Sequence, residues 1–179
     1  MNTLVLGGTR SGKSKLAESL AQESEHDVTY IATAQAKDGE MQRRIDLHRA
    51  RRPASWQLVE EPLQLAACLE RLAQPNRCLL IDCMTLWLTN LLLVDPDLNK
   101  DEALRTELDA LYNVIPTLPG HLIMVSNETN MGITPLGELS RKYCDEAGVL
   151  HQRLAALSDR VILTVAGLPH YLKGQPHGL

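Results

Sequence analysis

Apolar and polar residues follow two different periods along this chain of 179 residues. Short continuous runs of Leu, Ile and Val alternate with longer stretches in which apolar residues recur every three or four positions. Continuous runs are typical of buried strands, and the longer period is typical of amphipathic helices. The runs predict strands at 3–6, 28–32, 57–59, 78–82, 122–126 and 160–165. The longer period predicts helices near 13–22, 40–50, 62–73, 85–93, 101–115 and 136–157.

The alternation of strands and helices indicates an α/β protein. Leu79 to Ile81 and Leu122 to Val125 are apolar at every position, so both faces of these two strands must be covered. A mostly parallel sheet between two layers of helices satisfies this requirement. No repeat, low-complexity segment or linker divides the sequence, so we expect residues 1–179 to form a single domain.

The first predicted strand leads directly into the segment Gly7-Gly8-Thr9-Arg10-Ser11-Gly12-Lys13-Ser14. This segment matches G-x-x-x-x-G-K-[ST], and a helix is predicted immediately after it. The glycines let the backbone curl around phosphates, while Lys13 adds a cation and Ser14 offers a hydroxyl to Mg²⁺. The motif in this context predicts a P-loop NTPase-like, three-layer fold that binds a nucleoside triphosphate.

Charge and composition argue against several other classes of protein. The chain has 18 basic and 22 acidic residues, which gives a net charge of −4 and disfavours general nucleic-acid binding. Its longest apolar stretch, 86–94, is interrupted by Thr89 and Asn90 and is too short to span a bilayer. The four cysteines show no C-x-x-C pair and no metal-site spacing with histidine, which is typical of free thiols in a cytoplasmic protein.

A P-loop protein also needs a carboxylate near Mg²⁺, usually at the end of a neighbouring apolar strand. Asp82 ends the run Cys78-Leu79-Leu80-Ile81-Asp82 and is the candidate for this position. The alternative is that Asp82 caps the helix that follows. Asn127 and Glu128 end another predicted strand and form a second polar pair at the same sheet edge, where ligands of parallel sheets bind.

Residues 43–52 place a single histidine, His48, among five arginines. On a helix, Met41, Ile45 and His48 share one face, with Arg44 one turn before His48. A neutral imidazole bordered by guanidinium groups suits nucleophilic attack on a triphosphate. Two other interpretations stay open from spacing alone: His48 is a core residue, or the arginines form a solvated or nucleic-acid-facing surface.

Several longer patterns make the chain resemble the bifunctional adenosylcobinamide kinase/adenosylcobinamide-phosphate guanylyltransferase family. The resemblance runs through almost the whole chain. The specific blocks are R-I-x-x-H-x-x-x-R-P-x-x-W from Arg44 to Trp56 and N-E-x-x-M-G-I-x-P from Asn127 to Pro135. This chain departs from the family's usual residue at Asn130, Thr134 and His151, and none of these lies in the P-loop or at His48.

The resemblance implies two reactions that use Mg²⁺, ATP and GTP. ATP or GTP first phosphorylates adenosylcobinamide, and GTP then transfers GMP to adenosylcobinamide phosphate through a GMP-histidine intermediate on His48. By family position, the catalytic residues are His48 and Lys13, and Ser14 and Asp82 are on the metal side. The residues implied to border the nucleotide are Gly7, Gly8, Thr9, Arg10, Ser11, Gly12, Lys13, Ser14, Ala32, Thr33, Ala34, Arg49, Ala50, Arg51, Arg52, Glu60 and Asp82.

The resemblance further implies a cytoplasmic homotrimer, with clefts between subunits available to the corrinoid. The apolar stretch 87–94 is a candidate contributor to that site, although core or subunit packing is the favoured explanation. Glu60 is chemically suited to read guanine. Two other functions are carried as alternatives: a simple P-loop small-molecule kinase in which His48 is structural, and a regulatory P-loop ATPase that acts on a macromolecular partner.

Overall fold

The computed structural model describes residues 1–34, 53–93 and 100–175. The strands are β1 Asn2–Gly7, β2 Asp27–Ala32, β3 Gln57–Glu60, β4 Arg77–Asp82, β5 His121–Asn127, β6 Arg160–Val165 and β7 Leu168–Lys173. The helices are α1 Lys13–Glu23, α2 Leu65–Leu72, α3 Met84–Leu92, α4 Lys100–Val114 and α5 Glu138–Leu157, with a 3₁₀ turn at Ile115–Thr117.

The strands of the described ranges form one sheet in the order β3-β2-β4-β5-β1-β6-β7. Every neighbouring pair is parallel except β6 and β7, which run antiparallel. The register pairs Ala32 with both Glu60 and Asp82, and Gly7 with Asn127. The carboxyl ends of the parallel strands therefore meet at one edge, where ligands of such sheets bind.

Helices cover both faces of the sheet. On one face, α1 packs through Ala17, Leu20 and Ala21 against Val5 and Val125. On the other face, α2 to α5 cover a larger core whose members include Leu4, Leu79, Met124, Trp87 and Leu154. The expected three-layer α/β fold with a mostly parallel sheet is confirmed, because the alternate residues of each central strand are buried against opposite helix layers.

Strand β7 is absent from the prediction made from sequence. Ala166 and Gly167 form its two-residue turn with φ of 52° and 81°, and Val165 pairs with Leu168. Positive φ at both central positions is the geometry of a tight hairpin turn. The residue pair Ala-Gly is a weaker signal for that turn than Asn-Gly, and Pro169 argues against a central strand, although an edge strand accepts it.

The helix boundaries differ from the predicted ones by a few residues. The helices predicted at 62–73 and 136–157 begin later, at Leu65 and Glu138, and the helix predicted at 101–115 ends at Val114 before a 3₁₀ turn. Gln64, with φ of −89° and ψ of 57°, and Gly137, with φ of −74° and ψ of 135°, are the non-helical residues that precede these two helices. The predicted helix near 40–50 lies outside the described residues. None of the described helices combines the length and the hydropathy required to cross a bilayer.

Candidate nucleotide-binding site

The P-loop, residues 7–14, connects β1 to α1 as its motif predicts. Gly12 has a φ of 97° and is the residue before the first turn of α1. A Cβ atom on Gly7 would lie 2.4 Å from the hydroxyl oxygen of Ser11 and 2.7 Å from the carbonyl oxygen of Thr164. Glycine is therefore required at both positions: at Gly12 by the positive φ, and at Gly7 by close packing.

The hairpin between β6 and β7 supports the P-loop from one side. The backbone N–H of Gly167 donates to the carbonyl oxygen of Ser11 at 2.8 Å. A Cβ on Gly12 would lie 3.1 Å from the Cα of Gly167. The strand that sequence reasoning missed thus fixes the curvature of the segment on which the nucleotide prediction depends.

Lys13 is buried, with 8% of its surface exposed. Its Nζ donates to the carbonyl oxygen of Gly8 at 3.1 Å, which holds the ammonium group across the P-loop. Burial lowers the pKa of Lys13 from its ordinary value, and the nearby carboxylate of Asp82 opposes that shift. A desolvated cation of this kind interacts strongly with an anion that enters the loop.

Asp82 lies at the end of β4, and its Oδ2 accepts a hydrogen bond of 3.0 Å from the hydroxyl of Tyr30. Helix α3 begins after Cys83, with no side-chain capping bond at that residue, so the capping alternative has no support here. The Ser14 hydroxyl and the Asp82 carboxylate supply hard oxygen donors. This donor set fits Mg²⁺, which proteins bind through one or two such groups together with phosphate oxygens.

Tyr30 is a functional candidate that sequence reasoning did not single out. Its side chain is 3% exposed, and its ring packs in the core between α1 and the sheet. The hydroxyl therefore has little freedom, and through its hydrogen bond it fixes the orientation of the Asp82 carboxylate. A tyrosine within a predicted strand carries no sequence signal for this role, because its hydrogen-bond partner Asp82 is 52 residues away in the sequence.

The variant Tyr30→Phe is expected to raise the dissociation constant for a divalent metal ion at Asp82 about tenfold, because residues that hydrogen-bond to metal ligands affect metal affinity on this scale. The ring and its packing are retained, so folding should change little. Mn²⁺ binding in the presence of GTP, followed by electron paramagnetic resonance, gives a readout independent of turnover. Tyr112→Phe is the matched control, because its buried hydroxyl has no hydrogen-bond partner among the described residues. Equal Mn²⁺ affinity in the wild type and Tyr30→Phe would contradict the role.

A hydrogen-bonded group holds the segment 32–34 beside Asp82. The Thr33 hydroxyl donates to the carbonyl oxygen of Cys83 at 2.7 Å and accepts from its N–H at 2.9 Å. The Asn90 side chain donates to the Thr33 carbonyl oxygen at 2.8 Å. Burial raises the pKa of the Cys83 thiol to about 11, so the thiol is neutral near pH 7. Cys83 and Asn90 are therefore structural supports of this edge.

Glu60 ends β3 and is exposed at the same edge, paired in register with Ala32. The structure thus places the P-loop, Ala32 to Ala34, Asp82 and Glu60 along one edge of the sheet, with β2, β4 and β5 between Glu60 and the P-loop. His48 and Arg49, Ala50, Arg51 and Arg52 lie outside the described residues. Their roles stay predictions from the sequence.

The end of β5 carries a second polar chain. Ser126 Oγ and His151 Nε2 are 2.7 Å apart, and His151 Nδ1 lies 3.6 Å from Glu128 Oε2. The N–H of Glu128 also donates to the carbonyl oxygen of Gly7 at 3.0 Å. His151 thus connects α5 to the residue that follows β5. Burial lowers the pKa of His151, and the carboxylate of Glu128 opposes that shift.

The lowered pKa of His151 predicts an acid-side loss of stability. The unfolded chain takes up the proton first as pH falls below about 6.5, so the free energy of unfolding declines from there to the folded-state pKa, by up to about 1.4 kcal/mol per pH unit. Urea denaturation at pH 7.5 and 5.5 should show a smaller decline for His151→Asn than for the wild type. The exposed His170→Asn is the control. A decline of the same size in His151→Asn would exclude His151 as its source.

The comparisons with known proteins agree with this geometry. Residues 3–172 match the family described as cobinamide kinase / cobinamide phosphate guanyltransferase. The chain is 61% identical over 176 residues to the bifunctional adenosylcobalamin biosynthesis protein CobP of Pseudomonas aeruginosa, covering 98% of this chain and 99% of that protein. It is 39% identical over 177 residues to CobU of Escherichia coli, described in the same words, covering 94% and 97%. A Pyrococcus horikoshii protein known from a structural study has a similar fold, with a TM-score of 0.53 at 10% identity, covering 98% of this chain and 87% of that one.

Proposed function

We propose that this chain, which belongs to the cobinamide kinase / cobinamide phosphate guanyltransferase family, phosphorylates adenosylcobinamide and then transfers GMP to the product. Family membership over nearly the whole chain is the observation that carries the proposal. The P-loop supports it, because both reactions start from a nucleoside triphosphate. One domain, residues 1–179, carries both activities.

In the first reaction, the hydroxyl of the aminopropanol arm of adenosylcobinamide attacks the γ-phosphorus of ATP or GTP. The bond to the bridging oxygen breaks, and a nucleoside diphosphate leaves. The P-loop N–H groups and the buried Lys13 ammonium hold the phosphate oxygens and stabilise the charge that develops on them. Ser14 and Asp82 would hold Mg²⁺, which when bound neutralises phosphate charge.

In the second reaction, an imidazole nitrogen of His48 attacks the α-phosphorus of GTP and pyrophosphate leaves. A phosphate oxygen of adenosylcobinamide phosphate then attacks the same phosphorus, which gives adenosyl-GDP-cobinamide and frees the imidazole. A covalent intermediate divides one transfer between two anions into two displacements. The arginines near His48 in the sequence, Arg49, Arg51 and Arg52, are suited to neutralise the phosphates in both displacements.

Glu60 reads the guanine base in this proposal. A carboxylate accepts hydrogen bonds from guanine N1–H and N2–H, which adenine does not offer. Glu60→Gln should therefore reduce the preference for GTP over ATP in the guanylylation step by about tenfold or more. Competition between GTP and ATP for self-labelling of the protein measures this preference, with Glu61→Gln as the control at the neighbouring position. A preference that Glu60→Gln leaves intact would remove this residue from base recognition.

The assembly and the location complete the proposal. From the resemblance noted in the sequence, we propose a homotrimer in which clefts between subunits complete the corrinoid site, and a cytoplasmic enzyme that acts on small molecules. Sedimentation velocity on the purified chain measures the oligomer directly.

Labelled GTP tests the proposed function. The protein is incubated with Mg²⁺ and GTP carrying the label at either the α or the γ phosphate, then denatured and exposed to acid or base. We expect label from the α position only, stable in base and lost in acid, as a histidine phosphoramidate requires. In parallel, transfer of the γ label to adenosylcobinamide reports the kinase step. Kinase activity without any α label would favour the simple P-loop kinase, and hydrolysis that only a macromolecule stimulates would favour the regulatory ATPase.

A further inference from the structure

Asn127 ends β5 between the two elements of the candidate nucleotide site. Strand β5 lies between β1, which leads into the P-loop, and β4, which ends at Asp82. Asn127 is paired in register with Gly7, and Asp82 is paired with Val125. Because these parallel strands end at the same edge of the sheet, Asn127 lies between the P-loop and the metal-side carboxylate.

The side chain of Asn127 is on the face of the sheet that α1 covers. Ile123 and Val125 pack in the core beneath α1, and alternate residues of a strand share one face. Asn127 continues the series of these two residues. Helix α1 begins at Lys13, and the lysine of a P-loop reaches the β- and γ-phosphates. The Asn127 amide is therefore on the side of the sheet where the γ-phosphate is expected.

Thr85 fixes the orientation of this amide. Asn127 Nδ2 donates to Thr85 Oγ1 at 2.8 Å. Thr85 is 3% exposed, and its Oγ1 lies 3.0 Å from Cys83 Sγ, so the hydroxyl is itself held in place. Asn127 is only partly buried, and no donor among the described residues reaches its Oδ1. Oδ1 is therefore an oriented hydrogen-bond acceptor with no partner in the described part of the chain.

We propose that Asn127 Oδ1 accepts a hydrogen bond from the hydroxyl of adenosylcobinamide and holds its oxygen in line with the γ-phosphorus. This inference rests on the proposed function. Phosphate oxygens accept hydrogen bonds and are matched by the P-loop N–H groups and Lys13, whereas an acceptor such as Oδ1 matches a donor. The attacking hydroxyl is the donor that the kinase reaction brings to this place.

The contribution of Asn127 is orientation of the nucleophile. The hydroxyl oxygen bonds to the γ-phosphorus, the bond to the bridging oxygen breaks, and the nucleoside diphosphate leaves. The hydroxyl proton passes to solvent water, because a neutral amide is not a base. Phosphoryl transfer depends mainly on positioning and charge stabilisation, so an orienting acceptor suffices.

The neighbouring polar side chains are less suited to this role. Glu128 Oε1 accepts from the N–H of Asn130 at 2.7 Å, and its Oε2 lies 3.6 Å from His151 Nδ1. Ser126 is fully buried, and its hydroxyl is 2.7 Å from His151 Nε2. Both side chains are thus engaged with α5 or with the segment that follows β5.

The test is Asn127→Ala in the full chain with ATP labelled at the γ phosphate. We expect kcat for phosphorylation of adenosylcobinamide to fall about 10²-fold, the scale of a misplaced reacting group, with the KM for ATP unchanged. The ratio of label transferred to adenosylcobinamide over label released as phosphate should fall with it, because water replaces the misplaced hydroxyl. Self-labelling by α-labelled GTP should persist, since the nucleophile of that step belongs to the protein.

Thr85 provides a second variant that leaves Asn127 in place. Thr85→Val keeps the shape of the side chain and removes the oxygen that holds the amide, so we expect kcat and the transfer ratio to fall about tenfold. Thr85→Ser restores the hydroxyl and should recover most of both. Asn113→Ala, at an exposed position on α4, is the matched control and should behave like the wild type.

The outcomes separate this inference from the proposed function. A wild-type kcat and transfer ratio in Asn127→Ala would overturn the inference alone. A higher KM for ATP at unchanged kcat would assign Asn127 to the phosphates and also overturn it. Parallel loss of phosphorylation and self-labelling in both Asn127→Ala and Thr85→Val would make the pair a structural support. Failure of the wild type to phosphorylate adenosylcobinamide would overturn the proposed function together with the inference.

Discussion

Lys13→Met is expected to lower kcat/KM for phosphorylation of adenosylcobinamide by about 10³-fold, the scale of losing one preorganised group that stabilises transition-state charge. The wild-type ammonium is buried and held by the carbonyl of Gly8, so it is already in place and desolvated before the reaction. Methionine keeps the length of the side chain and removes the charge. Formation of the GMP-histidine adduct should fall as well, because the departing pyrophosphate depends on the same loop.

Steady-state kinetics of the kinase step and a time course of α-label incorporation measure the two effects separately. Lys15→Met is the matched control, since Lys15 is exposed one residue beyond the P-loop and should change either rate by less than about threefold. A Lys13→Met enzyme that retains wild-type kinase activity would show that the triphosphate binds elsewhere. Loss in one reaction only would show that the two reactions do not share the P-loop.

His48→Ala is expected to lower GMP transfer by about 10⁴-fold or more, as removal of a catalytic nucleophile does. The kinase step should retain most of its rate, since no covalent intermediate is required there. The imidazole ring is the only part of the proposed machinery that forms a bond to the α-phosphorus. The two activities should therefore separate in this one variant.

The measurement is α-label on the denatured protein together with γ-label on adenosylcobinamide. Added imidazole should restore some nucleotidyl transfer to His48→Ala by occupying the space of the missing ring. His170→Asn, at an exposed position on β7, is the control and should label normally. Normal α-labelling of His48→Ala would move the covalent step to another residue, and simultaneous loss of the kinase step would indicate a structural role for His48.

The order of strands and helices could be predicted from sequence because the central strands contain short, mostly apolar runs. The run Leu79 to Ile81 and the run Leu122 to Val125 are both buried between helix layers, as their composition requires. The P-loop could also be predicted, since its strand, glycines and helix are contiguous. Strand β7 could not, because an edge strand with Pro169 and exposed positions lacks the signal of a buried run.

The residues that hold the candidate site in place were less predictable from sequence than the residues that line it. Asp82 carries a motif signal, whereas Tyr30, which orients it, looks like any aromatic residue of a strand. His151 has no local pattern that connects it with Ser126, 25 residues away. Such contacts depend on strand order and helix placement. The segment 127–135 carries a sequence block, but only the fold shows that Met131 and Ile133 within it are exposed.

The position of β1 in the sheet has a consequence for how the chain matures. It is synthesised before the other strands of the described ranges, yet its neighbours β5 and β6 lie at His121–Asn127 and Arg160–Val165, and Gly167, which bonds to the P-loop, comes later still. Contacts of such long sequence separation form late and slowly. The P-loop therefore lacks its neighbouring strands and its hydrogen bond from Gly167 until synthesis has passed residue 167. A nascent or truncated chain that ends earlier would hold the whole G-x-x-x-x-G-K-S motif and still be unable to sequester cellular GTP.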